Sequence, residues 1–219
     1  MRTSAKRRER LARARLYFVT DGSTPDAVLD AALRGGADVL QLRDRSLGDE
    51  DLLRVAQRFR ALCDEHGALF FINDNPDLAA RSDADGVHVG QDDAGVAEAR
   101  ERAGGELLVG LSTHSPKQLM VGVAEGADQL SVGPVWETPT KPGRPAAGLE
   151  YVHHAAARRL PVPWFAIGGI DARNVRQVAD AGAERVVAVR AIRDAADPRA
   201  AAAAIRGALT RRPVGAAAQ

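Results

Sequence analysis

Residues 131–141 read Ser-Val-Gly-Pro-Val-Trp-Glu-Thr-Pro-Thr-Lys and run from the end of an apolar segment into a loop. The loop carries two hydroxyls, Thr138 and Thr140, and one ammonium, Lys141, while Pro139 and Pro142 restrict its backbone. Such a stiff loop suits an anion like phosphate, bound by charge-assisted hydrogen bonds. The competing reading is a surface loop whose Lys is only solvated.

Other residues offer matching chemistry. Gln41 and Arg43 stand two apart in an extended run, so both face one side of a strand. Arg43 presents a planar fork suited to phosphate oxygens, unless a buried carboxylate occupies it. Asp74 and Asp93 are carboxylates that, with Arg43, Arg45 and Lys141 nearby, suit Mg2+ bridging to a polyphosphate. Helix capping competes at both: Asp74 or Asn75 precedes Pro76, and Asp93 precedes Ala94. Gly168-Gly169 lets backbone approach a phosphate just before a helix. His88 lies inside a strand pattern and reads first as a satisfied core histidine. No His/Cys spacing suggests zinc, and no Gly-x-Ser-x-Gly elbow is present.

These residues recur at equivalent points of a repeating pattern. Apolar runs at 16–20, 39–43, 68–72, 86–89, 107–111, 129–132, 163–167 and 186–189 each precede a segment of helical periodicity. Gly-Ala-Asp at 36–38 and 126–128, and Gly-Ala-Glu at 182–184, close helices just before strands begin. Strict alternation implies a parallel sheet, and eight units favour a closed (β/α)8 barrel. An open doubly wound sheet is the alternative, but it usually has a Gly-rich first turn, and Asp21-Gly22-Ser23-Thr24 is not one. In a barrel the active site lies at the C-terminal strand ends, where Gln41, Arg43, Arg45, Asn73, Asp74, Asp93, Ser112, His114, Thr138, Thr140, Lys141, Gly169, Val189 and Arg190 fall.

A chain of 219 residues with 45% hydrophobic and 27% charged residues fits one soluble domain. No apolar run approaches a membrane span, and no signal peptide is visible, so a cytoplasmic protein is expected. The one cysteine, Cys63, lies in a helical pattern and is expected to be buried. The net charge of +1 conceals a basic segment at 1–15, with seven Arg/Lys and one Glu, beside an acidic body of net −7 over 16–210. Residues 1–15 are expected to form a flexible, solvated arm rather than a nucleic-acid contact, 16–210 the barrel, and 211–219 a disordered tail.

Taken in order, several stretches resemble the thiamine-phosphate synthase family. They are Gln41-Leu42-Arg43-Asp44-Arg45, Asn73-Asp74, residues 85–93 (Asp-Gly-Val-His-Val-Gly-Gln-Asp-Asp), Gly110-Leu111-Ser112-Thr113-His114, residues 133–141 and Ala166-Ile167-Gly168-Gly169-Ile170. The resemblance covers about residues 16–210. It implies a (β/α)8 barrel and a transferase that joins 4-amino-2-methyl-5-hydroxymethylpyrimidine diphosphate to 4-methyl-5-(2-hydroxyethyl)thiazole phosphate, or its carboxylated form. The products are thiamine phosphate and pyrophosphate. By the same resemblance, Gln41 is a pyrimidine contact, and Arg43, Arg45, Asn73 and Lys141 hold the diphosphate. Asp74 and Asp93 hold one Mg2+ per subunit, and Ser112 stands beside the pyrimidine and the leaving group. Thr138, Thr140, Gly169 and the Val189-Arg190 backbone take the thiazole phosphate. Leu42, Asp44 and Pro139 belong to the same motifs and are counted among the substrate-binding positions. Arg43, Lys141 and Ser112 are the expected catalytic groups.

Two positions depart from the family pattern: Arg45 stands where Lys is usual, and Arg190 where many members have Ser. A thiazole tautomerase on a similar barrel is one alternative, and a non-catalytic phospholigand-binding barrel another. The ionic positions Asp74, Asp93 and Lys141 argue against both. The expected partners are small molecules, with neither nucleic acid nor membrane, and a homo-oligomer is left open.

Overall fold

The computed structural model describes residues 3–138 and 145–210. Strands and helices alternate as β1 (Leu16–Thr20), α2 (Asp26–Arg34), β2 (Val39–Leu42), α3 (Asp49–His66), β3 (Leu69–Asn73), α4 (Pro76–Arg81), β4 (Gly86–Val89) and α5 (Val96–Arg102). They continue as β5 (Leu108–Thr113), α6 (Pro116–Ala124), β6 (Gln129–Val132), α7 (Gly148–Ala157), β7 (Trp164–Ala166), α8 (Val175–Asp180) and β8 (Val186–Ala188). A short α9 (Arg190–Arg193) and a longer α10 (Pro198–Thr210) follow, and α1 (Ser4–Arg13) precedes the first strand. Among the described residues the eight strands are all parallel and close into a barrel in sequence order, β1 pairing with β8. The predicted (β/α)8 fold is therefore the one observed.

Local signals explain where the helices begin. Ser115 and Asn75 are N-caps whose side chains accept from Gln118 N and Leu78 N, and a Pro follows each in the first turn. The apolar core splits into two regions. The larger lies between the outer sheet face and the helices, and includes Leu42, Phe59, Phe70 and Val109. The smaller fills the barrel itself with Tyr17, Val19, Val39, Leu69, Phe71, Leu108, Phe165 and Val187. Tyr17 packs against Phe71 at 5.7 Å and edge-on to Phe165 at 5.4 Å, closing the lower interior with aromatic bulk.

The expectation of a flexible arm at 1–15 is wrong for residues 4–13. Helix α1 covers the N-terminal end of the barrel, where Leu11 joins the interior core. Arg7 Nε lies 3.2 Å from Asp85 Oδ1, and Arg8 Nε lies 2.7 Å from Asp128 Oδ1. The helix is anchored by Arg stems and heads rather than by an apolar stripe, so hydrophobic periodicity does not reveal it. The predicted tail at 211–219 lies outside the described residues.

Three carboxylates at strand starts do a common job. Asp38 Oδ2 accepts from Arg15 N at 2.7 Å and Leu16 N at 3.1 Å. Asp85 Oδ2 accepts from Phe70 N at 2.9 Å, and Asp128 Oδ2 from Val109 N at 2.9 Å. Each stands just before an even-numbered strand and ties the start of the odd-numbered strand preceding it. Each is also paired with arginine: Asp38 with Arg206, Asp85 with Arg7 and Arg60, Asp128 with Arg8 and Arg100.

Candidate active site

Side chains on these strands alternate between the two cores, so the inward-facing positions near the C-terminal ends supply the site. A cavity of about 320 Å³ opens there. Of the sequence-predicted residues, Gln41, Arg43, Asn73, Ser112, His114, Thr138, Gly169, Val189 and Arg190 line it together, and His88 lines it as well.

Arg43 follows β2 and lines the cavity half-buried, and its Nε is buried with no hydrogen-bond partner among the described residues. The pairing with a buried carboxylate that competed for Arg43 is not formed among those residues. Burial pushes its pKa down, as does neighbouring Arg45, while Asp74 and Asp93 oppose that. An arginine held this way, with an open donor, is ready for an incoming anion.

Asp74 and Asp93 stand outside the cavity lining but beside each other. Asp74 takes a left-handed backbone at φ 61°, which Asp tolerates better than most residues. Its carboxylate lies 2.9 Å from Arg45. Asn75, not Asp74, caps α4, and Gly95, not Asp93, is the N-cap of α5. Both capping alternatives are thereby excluded. Asp93 Oδ2 accepts from Gly90 N at 2.8 Å, and burial, followed by the side chain of Asp74, raises its pKa. The two adjacent carboxylates are oxygen donors that fit a divalent cation shared with a substrate's phosphates, and the exposed Arg45 guanidinium beside them suits the same phosphates.

The other members of the 41–45 motif divide differently from expectation. The Leu42 side chain is buried in the outer core with the helices, so it cannot touch a ligand in the mouth. Asp44 spends its carboxylate on the loop, accepting from Gly22 N at 3.0 Å, Ser46 N at 2.8 Å and Ser46 Oγ at 2.6 Å. Burial alone would raise its pKa, but these donors hold it below the usual value. Asp44 shapes the loop that carries Arg43 and Arg45. Pro139, Thr140 and Lys141 lie outside the described residues.

His88 is satisfied, as its place in a strand suggests. Its Nε2 is 3.0 Å from Ser112 Oγ, and its Nδ1 is 2.7 Å from Gln129 Nε2. His114 Nδ1 donates to the Gly133 carbonyl at 2.7 Å. Sequence reasoning missed Tyr17, Gln129 and Ser131, all in the cavity wall. Gln41 Nε2 donates to Tyr17 Oη at 2.7 Å, and burial drives the phenol pKa far up, so it stays neutral. Gln129 and Ser131 stand two apart on β6, and two polar groups on one face of a buried strand are the sequence signal for both; Tyr17 has no such signal.

The ends of β7 and β8 build another part of the cavity wall, largely from backbone. Gly168 sits at φ 110°, and a side chain there would meet Pro134 Cα at 2.6 Å. Val135 N donates to the Ile167 carbonyl at 2.8 Å and Trp136 N to the Gly168 carbonyl at 3.2 Å, binding the loop after β6 to that after β7. Val189, Arg190 and Ala191 complete this wall at the start of α9. Glycine turns after strand seven and a short extra helix after strand eight are the usual phosphate-binding features of such barrels.

Comparison with known proteins agrees with this geometry. The family described as thiamine monophosphate synthase matches over residues 16–192. A thiamine-phosphate synthase of Thermus thermophilus is 52% identical over 198 residues, covering 88% of this chain and 95% of that one. That of Acidothermus cellulolyticus is 50% identical over 199 residues, covering 88% and 93%. A solved thiamine phosphate pyrophosphorylase from Pyrococcus furiosus superposes with a TM-score of 0.82 at 30% identity, covering 92% of this chain and 96% of its own.

Proposed function

The chain belongs to the thiamine-phosphate synthase family, whose members are transferases, and we propose how its own residues divide the work. The substrates are the pyrimidine diphosphate and the thiazole phosphate, and the products thiamine phosphate and pyrophosphate. The observation that carries this reading is the convergence of Gln41, Arg43, Asn73, Ser112, Thr138, Gly169 and the Val189-Arg190 backbone on one cavity.

In this reading Arg43, Asn73 and Lys141 bind the diphosphate on one side, with Arg45 at the rim. Gln41, oriented by its bond to Tyr17, and Ser112 hold the pyrimidine. The loop hydroxyls Thr138 and Thr140, with the glycine turn and the start of α9, take the thiazole phosphate. Asp74 and Asp93 would hold one Mg2+ per subunit, which when bound neutralises charge on the diphosphate. Arg43 and Lys141 stabilise the negative charge that grows on departing pyrophosphate. The two phosphate sites fix the thiazole nitrogen against the pyrimidine methylene carbon, whose positive charge its lone pair captures. The nucleophile carries no proton, so no general base is required. The neutral Tyr17, bonded to Gln41, and His88, held at both ring nitrogens, suit a wall that orients the substrates.

A cytoplasmic setting belongs to the same proposal, supported by the finding that no helix among the described residues is long and apolar enough to cross a membrane. The direct test is turnover with both heterocycles and Mg2+, read as pyrophosphate release. No release with either thiazole form would overturn the reading.

A further inference from the structure

At one level inside the barrel, β4, β5 and β6 bring His88, Gly110 and Gln129 into register. The middle position is empty of side chain, and that vacancy is used. A Cβ at Gly110 would stand 2.0 Å from Gln129 Nε2 and 2.6 Å from His88 Nδ1. Gln129 reaches across a whole strand to His88 only because Gly110 leaves the space. Gln129 and His88 are both buried, so the amide cannot be replaced by water without cost.

We infer that Gln129 is a positioning residue for the transfer reaction, acting on Ser112 through His88 across the gap at Gly110. The logic is one of donors and acceptors. The Gln129 amide N–H donates to His88 Nδ1 at 2.7 Å, which places the imidazole proton on Nε2. Nε2–H then donates to Ser112 Oγ at 3.0 Å. With a lone pair of Oγ so engaged, the Ser112 O–H proton is directed to the cavity that Ser112 lines. The pyrimidine ring nitrogens and the diphosphate oxygens are acceptors, so a donor of fixed direction is what Ser112 must offer them. This inference rests on the proposed contact between Ser112 and the pyrimidine substrate.

Two measurements test it, each on the full chain. In the native protein, 15N-imidazole spectra identify the protonated ring nitrogen of His88, with the signal assigned as the one missing from His88→Phe. Nε2–H is expected, and Nδ1–H would overturn the inference with no variant needed. In Gln129→Met, which keeps length and burial but removes the donor, the Nε2–H preference should be lost. kcat should fall about tenfold while KM for the thiazole phosphate stays within twofold, the scale of one misdirected hydrogen bond. Native tautomer and native kcat in Gln129→Met would overturn it. Ser112→Ala in the same assay separates the two layers of the reading. If that variant keeps native kcat, the contact of Ser112 with substrate is wrong. If Ser112→Ala is slow and Gln129→Met is not, only the role of Gln129 is wrong.

Discussion

Arg7 in the first helix and Asp85 at the base of the fourth strand lie 78 positions apart in sequence and meet at 3.2 Å. The aspartate is wholly buried and also receives Arg60 Nη1 at 2.7 Å and the Phe70 N–H at 2.9 Å. Removing residues 1–13 should therefore destabilise the barrel severely. Leu11 burial alone contributes about 1.5–3 kcal/mol, and stripping a partner from a buried ion pair costs about 3–5 kcal/mol. Chemical denaturation of the truncated chain measures this, and an unchanged midpoint would show the helix to be dispensable.

Asp85 also sets a pH dependence. Burial works to raise its pKa, but Arg60, the Phe70 N–H and Arg7 outweigh it and hold the pKa below the ordinary value of 3.8. A depressed carboxylate contributes stability that is present above 3.8 and is lost as pH falls through its lower folded pKa. Asp85→Asn should thus be markedly less stable than the native chain at pH 7, with the gap narrowing below pH 3.8. Denaturation midpoints across acid pH would refute this if the gap stayed constant.

The adjacency of Asp74 and Asp93 predicts a coupled response. Asp74→Asn should bring the Asp93 pKa part of the way down, since burial, the larger cause, remains. It should also weaken Mg2+ dependence and lower turnover far more than stability. Carboxyl NMR titration and an Mg2+ activity curve read the two effects, and near-normal turnover at saturating Mg2+ would remove Asp74 from the proposed site.

Lys141 and Thr140, outside the described residues, are adjacent yet assigned to different substrates. Lys141→Ala should mainly lower kcat, by about 10²–10³-fold, because negative charge grows on the leaving group. Thr140→Ala should mainly raise KM for the thiazole phosphate, whose charge is constant, losing about 1.5–3 kcal/mol. Kinetics with each substrate varied in turn decide. A Lys141→Ala variant altered only in thiazole KM would reverse the assignment.

The barrel was legible because its strands are short apolar runs and many of its helices close on glycine. Gln41 and Arg43 were legible as site residues because polar groups on one face of a buried strand need a reason. Helix α1 was not, since its buried residues are only Leu11 and Arg7, and an arginine that packs looks like one that dissolves. Tyr17 and Gln129 were overlooked because they sit lower on strands whose neighbours are apolar. Leu42 and Asp44 were drawn into the site by motif membership, whereas the pleat turns Leu42 outward and the loop consumes the Asp44 carboxylate.

The aspartates before β2, β4 and β6 have a consequence for how the chain can be divided. Each clamps the strand preceding its own, so the partners sit at the two ends of one strand-helix unit and tie two successive strands into a pair. A break inside α3, α5 or α7 leaves every such clamp within one fragment. A break inside α2, α4 or α6 separates a carboxylate from the amide it holds. Co-expressed halves split within α5 should therefore reassemble into a working enzyme more readily than halves split within α4 or α6, which makes the quarter-barrel the modular grain of this protein.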